Sequence, residues 1–307
     1  MKIVFLEPLG LKVSKIEEAC AGLRKQGHEV VIYPDRNENI DELKRRAEGA
    51  EVIIESNIPL RKDFLDACPN LKMLSIAFTG LDHIDMEECQ RRGIVVKNAA
   101  GYSTEAVAEL AIALMVDVYR KVVENDKITR ECQRKGIMPG REIGGKTLGI
   151  IGMGNIGQRV AKIANAYGCK VLTWNRTPKT VDGVTFVDKE TLLRESDIVT
   201  LHIALNNETR DFIAEKELKL MKPSAILINT ARGPVVNEQA LANALKSGII
   251  SGAATDVYGT EPPLKADHPL FGAPNLIMLP HLGFATEEAF ELRLGIVIKN
   301  IEARSKK

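Results

Sequence analysis

The stretch from Leu148 to Asn175, LGIIGMGNIGQRVAKIANAYGCKVLTWN, decides the fold of this chain. An apolar strand leads into Gly152, Gly154 and Gly157, and an amphipathic helix and a second strand follow. In such a G-x-G-x-x-G pattern the first glycine makes the turn tight, the second admits a pyrophosphate, and the third lets the helix pack on the strand. The N–H groups at the helix N-terminus favour phosphate. The stretch therefore predicts a dinucleotide-binding unit.

The residues after the second strand indicate which dinucleotide is bound. Such units usually end this strand with an acid that binds the ribose 2′-hydroxyl, whereas this chain has Asn175 followed by Arg176. Arg176 offers a bidentate donor to a 2′-phosphate, and Thr177 and Lys179 add a hydroxyl and a further charge. The pattern favours NADP. NAD stays open, because Arg176 and Lys179 are also typical of solvated turns.

Length and composition fit a globular protein of two domains. The chain has 307 residues, of which 45% are hydrophobic and 27% are charged. A formal net charge of +1 gives no electrostatic reason to expect nucleic acid or an anionic membrane as partner. No apolar run approaches the roughly 20 residues of a membrane span. The five cysteines are scattered and predict reduced thiols, no metal site and a cytoplasmic location.

Short apolar runs alternate with amphipathic stretches on both sides of the glycine turn. The runs are rich in Val, Ile and Leu, which is typical of parallel sheets covered by helices on both faces. A helical pattern from Ser103 to about Val123 is apolar nearly all round and is predicted to be buried between domains or subunits. The boundary between the two alternating halves falls near residues 98–104. In the second half, strands are predicted over residues 147–152, 171–175, 197–203, 225–230, 252–257 and 276–279.

Three downstream segments add a family resemblance. They are LINTARGPVVNEQAL (227–241), GAATDVYGTEPP (252–263) and LPHLGFAT (279–286). Together with the glycine turn they resemble the D-isomer-specific 2-hydroxyacid dehydrogenases, and they stand in the same order. FTGLDHID (78–85) and NAAGYSTEAVAEL (98–110) also match, so the resemblance covers essentially the whole chain.

The resemblance implies an α/β fold with two doubly wound parallel-sheet domains and an active site in the cleft between them. A flavodoxin-like substrate domain would comprise residues 1–98 and 284–307, and a Rossmann nucleotide domain would comprise residues 99–283. The long helix from Ser103 resembles the dimer-forming element of the family, which predicts a homodimer.

The resemblance also assigns three catalytic roles. Arg232 would bind the substrate carboxylate and polarise the keto oxygen, since its fork fits a carboxylate. His281 would be the general acid in reduction and the general base in oxidation. Glu261 would hydrogen-bond that imidazole and favour its protonated form.

Further residues are expected to contact the ligands. The substrate would be held by Arg232 and by two loops of the first domain, through Ser56, Asn57, Thr79, Gly80 and Leu81. The cofactor would be held by the glycine turn, by the turn after the second strand and by other strand ends, through Gly152, Gly154, Asn155, Ile156, Gly157, Asn175, Arg176, Thr177, Thr104, Ile203, Thr209, Thr230 and Asp256.

The predicted activity is reversible hydride transfer between a nicotinamide cofactor and a small 2-keto or D-2-hydroxy acid. Two alternatives stay open: a glyoxylate or hydroxypyruvate reductase of the same family, and a non-catalytic nucleotide sensor that acts as a corepressor. Retention of Arg232, Glu261 and His281 argues against the sensor. Glu55 stands where the phosphoglycerate-specific branch carries a cation, so a phosphorylated substrate is disfavoured on the expectation that its charge is repelled there.

Overall fold

Parallel β-strands build both halves of the chain. The structure is a computed structural model, and it describes residues 1–133 and 139–305. The chain divides into two compact units, one formed by residues 1–103 and 285–307 and the other by residues 104–284.

The first unit contains a five-stranded parallel sheet. Its strands are β1 (Lys2–Phe5), β2 (Glu29–Ile32), β3 (Val52–Glu55), β4 (Met73–Ile76) and β5 (Val95–Asn98). Their order is β2-β1-β3-β4-β5, which is the flavodoxin-like order. All residues of β3 and β4 are buried, because helices cover both faces of a doubly wound sheet. The predicted fold class is confirmed for this unit.

Short helices connect these strands. They are α1 (Val13–Ala19), α2 (Ala21–Lys25), α3 (Ile40–Arg46), α4 (Lys62–Asp66) and α5 (Met86–Arg91). Cys20 separates α1 from α2, with φ −84° and ψ −4°. Asn39 starts α3 by accepting bonds from the N–H groups of Asp41 and Glu42.

The second unit contains a seven-stranded parallel sheet. Its strands are β6 (Thr147–Ile151), β7 (Lys170–Trp174), β8 (Val184–Phe186), β9 (Ile198–Leu201), β10 (Ile226–Asn229), β11 (Gly252–Thr255) and β12 (Leu276–Met278). The order is β12-β11-β10-β9-β6-β7-β8, so the direction of winding reverses at β6 and β9. This is the Rossmann arrangement, in which ligands bind at the carboxyl ends of the strands near the reversal. Here too the predicted fold class is confirmed.

The helices of the second unit are α6 (Thr104–Arg120), α7 (Val122–Arg130), α8 (Asn155–Ala166), α9 (Lys189–Glu195), α10 (Glu215–Leu220) and α11 (Glu238–Lys246). The helix predicted to reach Val123 ends at Arg120, because Lys121 is left-handed with φ 52°. The buried face of α6 packs inside its own unit, against α8, β10 and β11. The chain then returns to the first unit with α12 (Glu287–Ser305), which contacts α1 and β4.

Candidate active site

The glycine turn connects β6 to α8. Gly152 has φ 103°, and a Cβ on it would lie 2.4 Å from the carbonyl oxygen of His202. A Cβ on Gly157 would lie 2.0 Å from the carbonyl oxygen of Gly152, so only glycine lets the helix pack here. A Cβ on Gly154 would have no heavy atom of the described residues within 4 Å, apart from atoms of its chain neighbours. These three glycines fit the close approach of a pyrophosphate.

Helix α8 points its N-terminus at the same turn. It begins at Asn155, and its N-cap is Gly154, which has no side chain to cap it. The first N–H groups of α8 are therefore available to an anion, which the helix dipole also attracts. Ile156 packs against the apolar core behind the turn. The turn also follows β6, where the winding of the sheet reverses.

The side chain of Asn175 connects the glycine turn to the end of β7. Its Oδ1 accepts a hydrogen bond from the N–H of Met153 at 3.0 Å, and its Nδ2 donates to the carbonyl of Thr177 at 2.7 Å. An amide serves both contacts because it accepts and donates, whereas a carboxylate only accepts. Arg176 is 79% exposed, and its Nη1 lies 3.5 Å from Glu208 Oε2. An exposed ion pair contributes little, so this guanidinium can turn towards a phosphate.

Two buried polar atoms lie at the ends of the neighbouring strands β9 and β10. The Nδ1 of His202 and the Oγ1 of Thr230 have no hydrogen-bond partner among the described residues. His202 Nε2 lies 3.0 Å from Thr200 Oγ1, and burial lowers the pKa of His202 to about 4, so this imidazole is neutral at pH 7. Because buried polar atoms normally find partners, these two atoms fit a ligand with polar groups at this edge of the sheet.

The other predicted cofactor residues of the second unit have local roles as well. Thr104 begins α6 and is half-buried, and Ile203 packs on the apolar core. Thr209 Oγ1 donates to the carbonyl of Ala204 at 2.7 Å and accepts from the N–H of Asn206 at 2.8 Å. Thr209 therefore closes the loop that follows β9.

Arg232 lies in a turn directly after β10. The buried side chain of Asn229 accepts from the N–H of Ala231 and donates to the carbonyl of Arg232, both at 3.1 Å. A Cβ on Gly233 would lie 1.8 Å from the carbonyl carbon of Tyr258, so the turn packs on the segment after β11. The role of Asn229 was not predicted from the sequence. Its signal was the position of an amide as the last residue of a buried strand.

His281 and Glu261 form a pair in the second unit. His281 Nδ1 lies 3.1 Å from Glu261 Oε2, and the ring of Phe284 meets the imidazole edge-on at 5.6 Å. Arg232, Glu261 and His281 follow β10, β11 and β12, respectively, and these strands are adjacent in the sheet. The three candidate catalytic residues thus follow the carboxyl ends of three neighbouring strands, where sites in such sheets are built.

Asp256, predicted to line the cofactor, makes a different contact in the structure. Its two carboxylate oxygens accept hydrogen bonds from the N–H groups of Leu282 and Gly283, each at 2.7 Å. Burial raises the pKa of Asp256, and these two donors oppose the rise. The carboxylate is thereby bound to the loop that carries His281.

In the first unit, the loop after β3 carries Ser56 and Asn57. The N–H of Ser56 donates to Glu7 Oε1 at 2.7 Å, and Asn57 Oδ1 accepts from Arg36 Nη1 at 2.8 Å. Arg36 also donates to Glu7 Oε2 at 2.8 Å. A buried acid and a half-exposed cation therefore fix this predicted substrate loop.

The second predicted substrate loop, Thr79 to Leu81, follows β4. Asn98 Nδ2 donates to the carbonyl of Thr79 at 2.7 Å, and the N–H of Ile84 donates to the carbonyl of Leu81 at 3.0 Å. Gly80 lies between these two anchored carbonyls.

The expectation that Glu55 repels a phosphorylated substrate is wrong in its premise. Glu55 is fully buried, and it accepts from the N–H of Ile58 at 2.6 Å and pairs with His83 Nε2 at 2.9 Å. Burial raises the pKa of this carboxyl, and the bond from His83 opposes the rise. Its charge is engaged inside the unit, so Glu55 gives no argument on phosphorylated substrates.

Among the described residues, no helix combines the length and the apolar character of a bilayer span.

Comparison with known proteins gives a consistent assignment. Residues 112–283 match the family model described as D-isomer specific 2-hydroxyacid dehydrogenase, NAD binding domain.

Individual proteins extend the similarity over most or all of the chain. A glyoxylate reductase of Thermococcus litoralis is 46% identical over 80% of this chain and 77% of its own length. A glycerate dehydrogenase of Methylorubrum extorquens is 40% identical over 86% and 85%, respectively. The structure of an acyclic imino acid reductase in complex with NADPH and D-Arg superposes with a TM-score of 0.90, at 34% identity, over 100% of this chain and 97% of that one. The chain belongs to the D-isomer specific 2-hydroxyacid dehydrogenase family.

Proposed function

We propose that the protein reduces a short 2-keto acid to the D-2-hydroxy acid with a nicotinamide cofactor, and that it prefers NADPH. The observation that carries the proposal is the pairing of His281 with Glu261, 3.1 Å apart. These two residues follow β12 and β11, and β11 lies beside β10, the strand that precedes Arg232. The relatives named glyoxylate reductase and glycerate dehydrogenase support two- and three-carbon acids as substrates.

In this mechanism Arg232 would bind the substrate carboxylate through its planar fork. The glycine turn would hold the pyrophosphate of the cofactor, which would supply the hydride from its reduced nicotinamide. His281 would donate a proton from Nε2 to the keto oxygen, because Nδ1 is engaged with Glu261. Glu261 would fix the ring and stabilise the imidazolium that exists before this transfer. In the oxidative direction the same imidazole would accept the proton.

The first unit would serve as the substrate domain. Ser56, Asn57 and the segment from Thr79 to Leu81 are the proposed substrate contacts of that unit. Their loops are fixed by Glu7, by Arg36 and by Asn98, and fixed loops of this kind suit the recognition of a small acid.

The direct experiment follows the absorbance of the reduced nicotinamide with purified protein. NADPH and NADH are each tested against glyoxylate, hydroxypyruvate and pyruvate, and the product is analysed on a chiral column. We expect turnover with at least one acid and a D product where the product is chiral. Nucleotide binding without turnover on any acid would contradict the proposal and would favour the sensor.

Arg176→Ala tests the preference for NADPH. We expect the ratio of kcat/KM for NADPH to that for NADH to fall about tenfold, which corresponds to about 1.4 kcal/mol for one charge-assisted contact. Arg194→Ala is the matched control, since Arg194 is also an exposed arginine in an ion pair, with Glu190. An unchanged ratio in Arg176→Ala would show that Arg176 does not contact the 2′-phosphate.

The homodimer stays part of the proposal, and α7 supports it. No residue of α7 is buried, and two of its apolar side chains are exposed, Val122 to 45% and Val123 to 58%. The two adjacent valines of this helix, which has no buried side chain, fit contact with a second copy, because contiguous exposed apolar surface can mark a protein–protein contact. The five cysteines lie in the described part of the chain as free thiols, which supports the proposed cytoplasmic location.

Val123→Glu tests the dimer. We expect the wild-type protein to show twice the chain mass of 33.7 kDa by light scattering at micromolar concentration, and Val123→Glu to shift towards one chain mass. The reason is that a buried, unpaired carboxylate is costly at an apolar interface. Leu292→Glu, at a leucine of α12 that is 54% exposed, is the matched control and keeps the dimer. A wild-type monomer at this concentration would refute the homodimer.

A further inference from the structure

The backbone of His281 has an unusual conformation. Its φ is 58°, in the left-handed region that residues with a Cβ rarely adopt. Such a conformation persists only when surrounding contacts hold it. The contacts around His281 therefore indicate how the imidazole is oriented.

The chain on the N-terminal side of His281 is fixed at Leu279. The N–H of Leu279 donates to the carbonyl of Thr255 at 2.9 Å, and the carbonyl of Leu279 accepts from the hydroxyl of Tyr258 at 2.7 Å. Tyr258 is only 3% exposed, and burial raises its pKa to about 12, so the hydroxyl keeps its proton at neutral pH.

The chain on the C-terminal side is fixed at Leu282 and Gly283. Both N–H groups donate to the Asp256 carboxylate, which is 1% exposed. A Cβ on Gly283 would lie 2.9 Å from Asp256 Oδ2, so the glycine is what admits the carboxylate so closely. Tyr258 and Asp256 thus hold the backbone on the two sides of His281.

Both anchors come from one short segment that is itself held firmly. Thr255 ends β11, and Asp256 donates its own N–H to the carbonyl of Asn229 at 2.9 Å. The N–H of Gly259 donates to Glu238 Oε1 at 2.7 Å. The segment is therefore attached to β10 and α11 as well as to β11, which makes it a rigid support for another loop.

We propose that Asp256 and Tyr258 are positioning residues that hold His281 in its left-handed conformation and so direct its imidazole towards Glu261. The inference rests on the proposed function for its effect on turnover. It assigns Asp256 a task beyond the cofactor contact expected from the sequence, and it gives Tyr258 a task that the sequence did not indicate.

Asp256→Asn and Tyr258→Phe test this assignment with little change of shape. In Asp256→Asn the amide oxygen can still accept one of the two N–H bonds, from Leu282 or Gly283. The amide NH2 faces the other N–H and cannot accept from it, so that bond is lost. Tyr258→Phe removes the bond of the hydroxyl to the Leu279 carbonyl at 2.7 Å and its longer contact with the Thr255 carbonyl at 3.5 Å. We expect each variant to lower kcat, by up to about 100-fold, because misplacement of a reacting group by about 1 Å has this effect. The Kd for NADPH should stay within about twofold, because His281 acts in the chemical step.

A double-mutant cycle separates positioning from a cofactor contact. If Asp256 acts through His281, then Asp256→Asn has no further effect on the residual turnover of His281→Gln. If Asp256 acts mainly by binding the nicotinamide, Asp256→Asn weakens cofactor binding and lowers turnover equally in both backgrounds. That second result would overturn the proposal.

An NMR measurement keeps the test independent of turnover. The chain has five histidines, and the ring signal of His281 is assigned as the one that His281→Gln removes. We expect this signal to shift or broaden in Asp256→Asn and in Tyr258→Phe. An unchanged signal in both variants would overturn the positioning role. Absence of wild-type turnover together with a changed signal would instead contradict the proposed function alone.

Matched controls are available in the same unit. Asp197, whose side chain is partly buried, also accepts a backbone N–H bond, from Thr147 at 2.9 Å, and buried Tyr119 also donates to a carbonyl, that of Asp197 at 3.0 Å. Asp197→Asn and Tyr119→Phe should lower stability while leaving the His281 signal and kcat unchanged. Equal effects in the controls would show that the loss of kcat reflects general destabilisation and would overturn the proposal.

Discussion

We expect His281→Gln to lower kcat by about 100-fold to 10,000-fold and to leave the Kd for NADPH nearly unchanged. General acid catalysis by a positioned histidine contributes rate factors of about this size. Glutamine keeps a polar side chain of similar reach but transfers no proton. The Kd is spared because the imidazole pairs with Glu261 and has no part in the glycine turn or in α8. Pre-steady-state kinetics and fluorescence titration of NADPH measure the two quantities separately.

His28→Gln is the control for this prediction. His28 lies in the first unit, where its Nδ1 is 3.3 Å from the N-terminal nitrogen of Met1, and it is not among the residues assigned to the site. The two substitutions remove the same chemistry, and only His281 is proposed to exchange a proton with the substrate. A comparable loss of kcat in both variants, or an equal loss of cofactor affinity in His281→Gln, would contradict the assigned role.

The fold was predictable because its signals are local. Buried parallel strands are rich in Val, Ile and Leu, and the strand ends predicted in the second half agree with the structure to within a few residues. Strand β8 was missed, because three residues, Val184 to Phe186, with a half-exposed pattern give almost no periodic signal. The early end of α6 was missed because a left-handed lysine, Lys121, is not marked by residue type.

The candidate catalytic residues could be proposed from the sequence, but the contacts that support them could not. Arg232, Glu261 and His281 stand in motifs that a single sequence displays. The contacts of Asn175 with Met153 and of Asp256 with Gly283 join segments more than 20 residues apart along the chain. Residue type alone does not show which distant N–H group a side chain will meet, so these supports required the structure.

Burial explains why the charge argument about Glu55 failed. Glu55 was interpreted as an acid facing the substrate because it stands where the phosphoglycerate-specific branch of the family carries a cation. It is in fact the last residue of the buried strand β3, and its partner His83 comes from the loop after β4. The position of Glu55 in the sequence indicated the carboxyl end of a strand. The direction of its side chain depends on tertiary contacts, which the sequence does not display.

The second large effect is expected for Arg232→Lys, which keeps the charge and removes the planar fork. Hydrogen bonds to charged groups contribute about 1.5–3 kcal/mol each, so kcat/KM for the keto acid should fall about 100-fold or more. Arg232 Nη1 donates to the carbonyl of Ala231 at 2.8 Å, and the lysine ammonium can also donate to a carbonyl, while Asn229 still binds the backbone carbonyl of residue 232, so we expect the turn to be retained. The Kd for NADPH should therefore remain close to the wild-type value.

Arg141→Lys and a substrate lacking the carboxylate make this prediction specific. Arg141 also donates to a backbone carbonyl, that of Ser224 at 2.7 Å, so its replacement controls for the loss of any guanidinium in the second unit. The wild-type enzyme should prefer pyruvate over pyruvamide, since only the acid presents two oxygens to the fork. Arg232→Lys should lose part of this preference, because lysine keeps the attraction of its charge for the carboxylate but cannot form the bidentate pair. If Arg232→Lys kept the full preference for the acid, the planar fork of Arg232 would not be what recognises the carboxylate.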